Sequence, residues 1–239
     1  MRSPQRLVVD PSQIRDRQVH LTPEQVHYLY HVLRLKPRDC LWILDGHGQR
    51  WRGQLGGDRT TVDLHEASSH PSELSTEIIL CLALLKAANF EQVLQQATEL
   101  GVRQIVPIHT ARSLLQPSTS KYQRWRRIVQ EAAEQSERLY LPTIGDPLTV
   151  PEMVKHMPHG YVGSLRSKVL LAAYFPTISW NAPLAVAIGP EGGWTPAELE
   201  FIVGAGWREF SLGRRTLRAV TAATATLSLI SHYSEQHLP

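Results

Sequence analysis

Two rhythms of apolar and polar residues divide this chain. Over the first seventy residues the apolar positions come in short runs: RLVVD, RQVHL, CLWILDG, RWRGQL and TTVDLHE. They are rich in β-branched and aromatic residues and are broken by turn signals such as DGHG and GGD, the pattern of strands in a small sheet. One helix interrupts them at LTPEQ, where Thr22 can cap, Pro23 suits the first helical position and Gln25 completes a capping box. The expectation is a β-barrel-like domain over residues 1–70. The polar, turn-rich EASSHPSELS marks the boundary.

From residue 73 to 239 the rhythm changes to alternating strands and helices. STEIILCLALL is one continuous apolar run, as in a strand buried on both faces. NFEQVLQQATELG places Phe90, Val93, Leu94, Ala97 and Leu100 on one helical face, with Gly101 as its stop. Strand RQIVPIH, the long helix YQRWRRIVQEAAEQSERL, strand VLLAA, strand PLAVAIG, helix PAELEFIVGAG, strand EFSLG and a last helix through ATLSLISHY complete the series. This alternation predicts an α/β fold, a parallel sheet with helices on both faces. Ligands of such sheets bind beyond the carboxyl ends of the strands.

IGPEGGW, residues 188–194, lies at such an end. Glycine and proline mark turns in any protein, so GPEGG alone reads equally well as a strand-to-helix turn. Thr195, Pro196 and Glu198 form a second capping box directly after it, and a second loop, SLGRRTLR, follows the next strand with three arginines in five residues. Glycine backbone can approach a ligand closely. Together these describe a pocket for a ligand bearing both charges. No G-x-G-x-x-G follows the first strand, and the chain has no P-loop and no G-x-S-x-G nucleophile elbow.

Composition narrows the setting. The chain has 239 residues, 42% hydrophobic and 20% charged, without an apolar run long enough to span a membrane. MRSPQRLVVD lacks the apolar core of a signal peptide, so a cytoplasmic protein with no membrane partner is expected. The net charge is +3, carried by 20 Arg and 5 Lys, and nine of the arginines fall in the first seventy residues. The arginine fork suits phosphate, which permits a nucleic-acid partner, although genome composition can also favour Arg over Lys. Cys40 and Cys81 are far apart and read as packed thiols. His27 and His31 sit four apart on the first helix with no third ligand in sight, so no metal is expected.

IGPEGGW, LGRRTLR and the small-residue helix after them resemble the signature of the SPOUT methyltransferases, and more narrowly of the RsmE family. HYLYHVLRLKPRD and LDGHGQRW resemble that family's PUA-like RNA-binding domain, and QQATELGVRQIVPIHTARS and RWRRIVQEAAEQSERLYLP its first two catalytic-domain helices and their surroundings. The resemblance implies a PUA-like domain at 1–70 and a SPOUT domain at 73–239 whose C-terminal part is tied in a trefoil knot. It implies S-adenosylmethionine in that knot, a homodimer, and methylation of N3 of a uridine in 16S RNA of the small ribosomal subunit.

Carried over residue by residue, the cofactor site comprises Ile188, Gly189, Glu191, Gly192 and Gly193 in one loop and Leu212, Gly213, Leu217 and Arg218 in the next. Arg218 is the candidate cation for a uridine anion, and Glu191 is the candidate base, with anchoring of the loop or of the cofactor's ammonium as its alternative roles. Candidate RNA contacts are Arg6, Arg34, Arg112 and Arg215. For Glu131 and Arg138 an ion pair is as good a reading as an RNA contact. The chain departs from the family pattern L-R-T-E-T-A at Ala219 and Val220, and from frequent charged residues at Ala88, Asn89 and Ala111. Two alternatives stand beside the enzyme: an RNA-binding assembly factor that keeps the pocket, and a SPOUT enzyme acting on another RNA such as tRNA.

Overall fold

A computed structural model describes residues 5–68, 72–113 and 116–236. Its chain divides into two units, Met1–Glu73 with Ala133–Leu141, and Leu74–Ala132 with Pro142–Pro239. The nine residues 133–141 thus pack with the first unit although the sequence pattern assigns them to the second domain.

The first unit contains β1 (Gln5–Val8), β2 (Ile14–Arg15), β3 (Gln18–His20), α1 (Pro23–His27), β4 (Cys40–Leu44), β5 (Arg50–Leu55) and β6 (Thr61–Ala67). They form one sheet in the order β1-β4-β5-β6-β3-β2. Period-two alternation sends Leu7, Val19, Leu41, Ile43, Leu55, Val62 and Leu64 to a common core with Leu29. Helix α1 begins as its sequence predicts, with a capping box between Thr22 and Gln25 and Pro23 in the first turn. It runs on as a π-helical turn over Tyr28–Val32 that buries Leu29.

Residues 133–141 hold to the first unit through the Glu73 carboxylate. Arg138 is 3% exposed, and its guanidinium donates to both oxygens of Glu73, at 2.7 Å from Nη2 to Oε2. Glu73 Oε1 also accepts from the backbone N–H of Leu139, at 2.8 Å. Arg138 is therefore an ion-pair residue of the first unit, not an exposed RNA contact. The helix before it ends sooner than the apolar pattern suggests, at Gln135, and Glu137 then takes φ +63°. That reversal turns Leu139 onto Val8 and Leu44.

The second unit contains β7 (Ile78–Ala83), α2 (Ala87–Glu99), β8 (Gln104–His109), α3 (Thr119–Gln135, whose last three residues belong to the first unit), β9 (Thr143–Ile144), β10 (Leu148–Thr149), α4 (Val150–His156), β11 (Tyr161–Gly163), β12 (Leu184–Ile188), α5 (Pro196–Gly204), β13 (Arg208–Phe210) and α6 (Ala219–Glu235). All its strand pairs are parallel, in the order β10-β8-β7-β12-β11-β13, with β9 also on β8. One face packs on α2, α3 and α6 through residues such as Phe90, Trp125 and Leu227, and the other on α4 and α5 through Met153 and Ile202. This is the two-sided cover expected of a parallel sheet.

One expected strand is wrong. In VLLAA, Leu170 makes a single bridge to Ser211, and Leu171–Thr177 coils into a 3₁₀ helix. A short apolar run fits either form, and here burial of Leu171 and Phe175, four apart, decides for the helix. The strand that fills this place in the sheet is β11, only three residues long.

Replacing Arg138 with Ala leaves the Glu73 carboxylate without its buried cation. We expect a loss of roughly 3 kcal/mol of stability, read as a lowered denaturant midpoint. An unchanged midpoint would mean that the pair contributes nothing.

Candidate functional site

Strands β11, β12 and β13 are neighbours running the same way, so the loops that follow them emerge together. Residues 163–166, 188–194, 211–213 and 215–217 line one cleft of about 400 Å³. Its floor is apolar, from Ile188, Leu199, Phe210, Leu212 and Leu217, and α6 contributes two small residues, Ala219 and Ala222, where its first turn meets the cleft.

The glycine loop is shaped by contacts on each side. Trp194 is 8% exposed and its indole N–H donates to the carbonyl of Gly163 at 3.1 Å, joining the loop after β12 to the end of β11. A Cβ on Gly189 would stand 2.9 Å from that indole nitrogen, so only glycine fits beneath it. Gly193 takes φ +70°, a left-handed conformation closed to most side chains, and its N–H returns to the carbonyl of Pro190. The capping box read from Thr195, Pro196 and Glu198 is present.

Two carboxylates tie this loop to its neighbours. Glu191 Oε1 accepts from the Asn89 side-chain amide at 2.8 Å and the Lys86 backbone N–H at 3.1 Å, both at the start of α2. Desolvation by burial pushes the Glu191 pKa up, but the hydrogen bonds from Asn89 and backbone N–H groups outweigh it, with help from the Lys86 charge. The net position is below the ordinary glutamate range, so the group is an anion at neutral pH. Glu198 uses one oxygen for its cap and gives the other to the backbone N–H of Ala111, at 2.7 Å. Arg112 then reaches the carbonyl of Gly192 through Nη1.

Of the residues singled out in the sequence, Ile188, Gly189, Glu191, Gly192, Gly193, Leu212, Gly213 and Leu217 line this cleft, together with Arg112 and Arg215. Arg218 does not. It is the exposed N-cap residue of α6, beside the cleft lining at Leu217 and Ala219. Arg6 and Arg34 belong to the first unit, where Arg6 forms an ion pair with Glu137 and Arg34 is exposed.

The sequence pattern gave no role to the third loop, Gly163–Arg166, because β11 is too short to show a period. Its available signal was the sequence GYVGSLR, an apolar pair closed by Gly and Ser. The departures also find places. Asn89 anchors Glu191, Ala111 contributes only its backbone, Ala219 lines the cleft, and Val220 packs against the main core.

Comparison with known proteins decides the family. A model described as an RNA methyltransferase domain matches residues 72–231, and an RNA methyltransferase PUA domain matches residues 21–65. A ribosomal RNA small subunit methyltransferase E from Synechocystis is 42% identical over 95% of this chain and 77% of its own length. The chain belongs to the RsmE family of RNA methyltransferases. A Bacillus subtilis relative of the same name is 28% identical over 90% of each chain. The crystal structure of a ribosomal RNA small subunit methyltransferase E from Neisseria gonorrhoeae, bound to S-adenosyl methionine, shares the fold at a TM-score of 0.88. It is 24% identical and covers 96% of this chain and 98% of that one. The family fold joins a PUA-like domain to a SPOUT-type parallel sheet, in agreement with the resemblance.

Asn89→Ala removes one charge-assisted hydrogen bond from the loop anchor. The affinity of the cleft for its ligand is expected to fall roughly tenfold, as calorimetry would read. Because the folded Glu191 pKa lies below its ordinary value, the anchor is in full force above that ordinary value and is lost as pH falls through the depressed one. Affinity should therefore not vary through this group between about pH 6 and 8. Equal affinities for Asn89→Ala and the parent would refute the anchor.

Proposed function

We propose that this chain binds S-adenosylmethionine in the three-loop cleft and methylates N3 of a uridine in 16S RNA of the small ribosomal subunit. The observation that carries the reading is the convergence of loops 163–166, 188–194 and 211–217 on one apolar cleft with arginines at its edge. Those residues fit the cofactor. An apolar floor and small side chains on α6 suit an adenine ring, backbone-lined loops suit polar substituents, and a volume of about 400 Å³ lies within the usual range of small-molecule sites.

Bound there, the cofactor supplies an electrophilic methyl group on a sulfonium. The chain must hold a uridine in line with it and let the N3 proton leave. Arg218, exposed at the helix start beside the cleft, is the residue we propose stabilises the uridine anion, with Arg215 on a phosphate. Glu191 serves as loop anchor, since its Oε1 is engaged by two donors at the start of α2. Arg112 braces the same loop, while Arg34 remains a candidate RNA contact. Residues 1–70 are proposed as the RNA reader and 73–239 as the catalytic domain.

The sheet order supports a knotted thread. The chain leaves β11, inserts β12 between β7 and β11, and returns past α5 to the far side of β11 as β13. A homodimer is proposed because Leu165, at the cleft, and Leu170 are 68% and 52% exposed, an apolar surface that a second copy would cover. No described helix is long and apolar enough to cross a membrane. A cytoplasmic location follows from the proposed substrate.

Small-subunit RNA from cells lacking the gene should be without N3-methyluridine at one position, as nucleoside mass spectrometry would show. Adding the purified protein should restore it. RNA that is identical with and without the gene would end the proposal. Arg218→Ala should lower the methylation rate about a hundredfold while S-adenosylmethionine affinity holds. Equal losses in both would make Arg218 a cofactor ligand instead. Leu165→Glu should shift light scattering from dimer toward the 26.9 kDa monomer. A parent that is monomeric at micromolar concentration refutes the dimer.

A further inference from the structure

Among the described residues, six without glycine's freedom take a positive φ: Asp16, Arg17, Arg34, Arg38, Arg59 and Glu137. Four are arginines, although Asn, Asp and Gly accept this conformation at lower cost. A costly residue kept at a turn implies that its side chain is needed. For Arg17 the need is visible inside the fold, since its guanidinium donates to the carbonyl of His65 at 2.8 Å. Arg34, Arg38 and Arg59 take φ +57°, +73° and +64°, and their guanidinium groups make no ion pair or hydrogen bond among the described residues. All three are exposed.

The Arg38 and Arg59 turns meet at the end of β5, and Arg34 lies four residues before Arg38. The backbone N–H of Arg38 donates to the carbonyl of Leu55, the last residue of β5, and Arg59 lies in the turn that follows β5, with its N–H toward Gly56. The guanidinium of Arg59 stands over the ring of Tyr30, 5.5 Å from its centroid. Arg34 comes four residues after Tyr30, between Leu33 and Leu35, whose N–H groups return to Tyr28 and Leu29. Lys36 adds an exposed ammonium. Two carboxylates lie nearby, and both are occupied locally. Asp58 accepts from Thr60 and Thr61, and Asp39 accepts from the N–H of Lys36.

We infer that Arg34, Arg38 and Arg59 form a clamp for the phosphate backbone of RNA, built on left-handed turns of the first unit. The inference rests on the ribosomal RNA substrate proposed above and extends it from Arg34 to a defined surface. Phosphate is the partner because planar forks match it and sequence-independent contacts suit turn tips. Arg59 is held over an aromatic ring, which lowers the entropic cost of presenting its fork.

The backbone conformation gives this surface a distinctive test. Asn tolerates a positive φ better than Arg, so the single variants R34N, R38N and R59N and their triple combination should fold with melting temperatures equal to or above the parent's. On isolated small subunits, the triple variant should raise KM for RNA at least tenfold while kcat and S-adenosylmethionine affinity stay constant. The slope of log affinity against log salt should flatten by about one for each arginine removed. R38K and R59K, which keep charge at the same turns without the fork, should retain the parent's salt slope and part of its affinity. A triple variant with the parent's KM and salt slope would overturn the clamp, and so would a triple variant that melts well below the parent, since the arginines would then serve the fold. A parent that methylates no small-subunit RNA refutes the enzyme reading instead. Binding of deproteinised 16S RNA, followed by anisotropy across a salt series, then tests the clamp by itself: an unchanged slope in the triple variant overturns it.

Discussion

The second unit depends on one strand, β12. Its five residues, Leu184–Ile188, are all buried, and its backbone pairs with β7 on one side and β11 on the other. A parallel ladder fixes where its strands end relative to each other. Ile188 sits opposite Leu82, and Ala187 opposite Val162, so the glycine loop leaves the sheet directly beside Gly163. That adjacency lets Trp194 reach the Gly163 carbonyl and places three loops around one cleft. A strand buried on both faces cannot shift its register by one residue without turning every side chain around, so the cleft inherits the rigidity of the core.

The loops around the cleft are held mainly by bonds from side chains to backbone across large sequence separations. Glu191 binds the start of α2, Glu198 binds the Ala111 N–H, and Arg112 binds the Gly192 carbonyl. This explains why the chain tolerates unusual residues at Asn89 and Ala111. An amide donates to a carboxylate as a cation would, and a backbone N–H is available whatever side chain the residue carries. Ala219 and Val220 are different, because one lines the cleft and the other packs on the core. A glutamate at 220 would be partly buried against that core.

The first unit uses charge in another way. Its buried pair, Arg138 with Glu73, draws a segment distant in sequence onto the sheet. The arginines at its turn tips are exposed and make few contacts within the fold. Arginine is the same residue in both settings, but burial decides whether its fork is satisfied by the protein or is available to a partner.

Much was legible in the sequence because the relevant physics is short-range. Capping boxes at Thr22 and Thr195 span four residues, and the apolar face of α2 repeats over a few turns, so each element announces itself locally. The glycine loop and the arginine loop were visible as motifs, and most of their residues do line one cleft. Tertiary structure alone decided the rest. A strand of three residues, β11, is too short to show a period, while VLLAA looked like a strand and became a 3₁₀ helix because Leu171 and Phe175 had a core to fill. The transfer of residues 133–141 to the first unit rests on an ion pair 65 residues apart, and the anchoring of Glu191 on hydrogen bonds more than a hundred residues apart. No local pattern encodes such contacts, since they exist only once the sheet has brought its strand ends together.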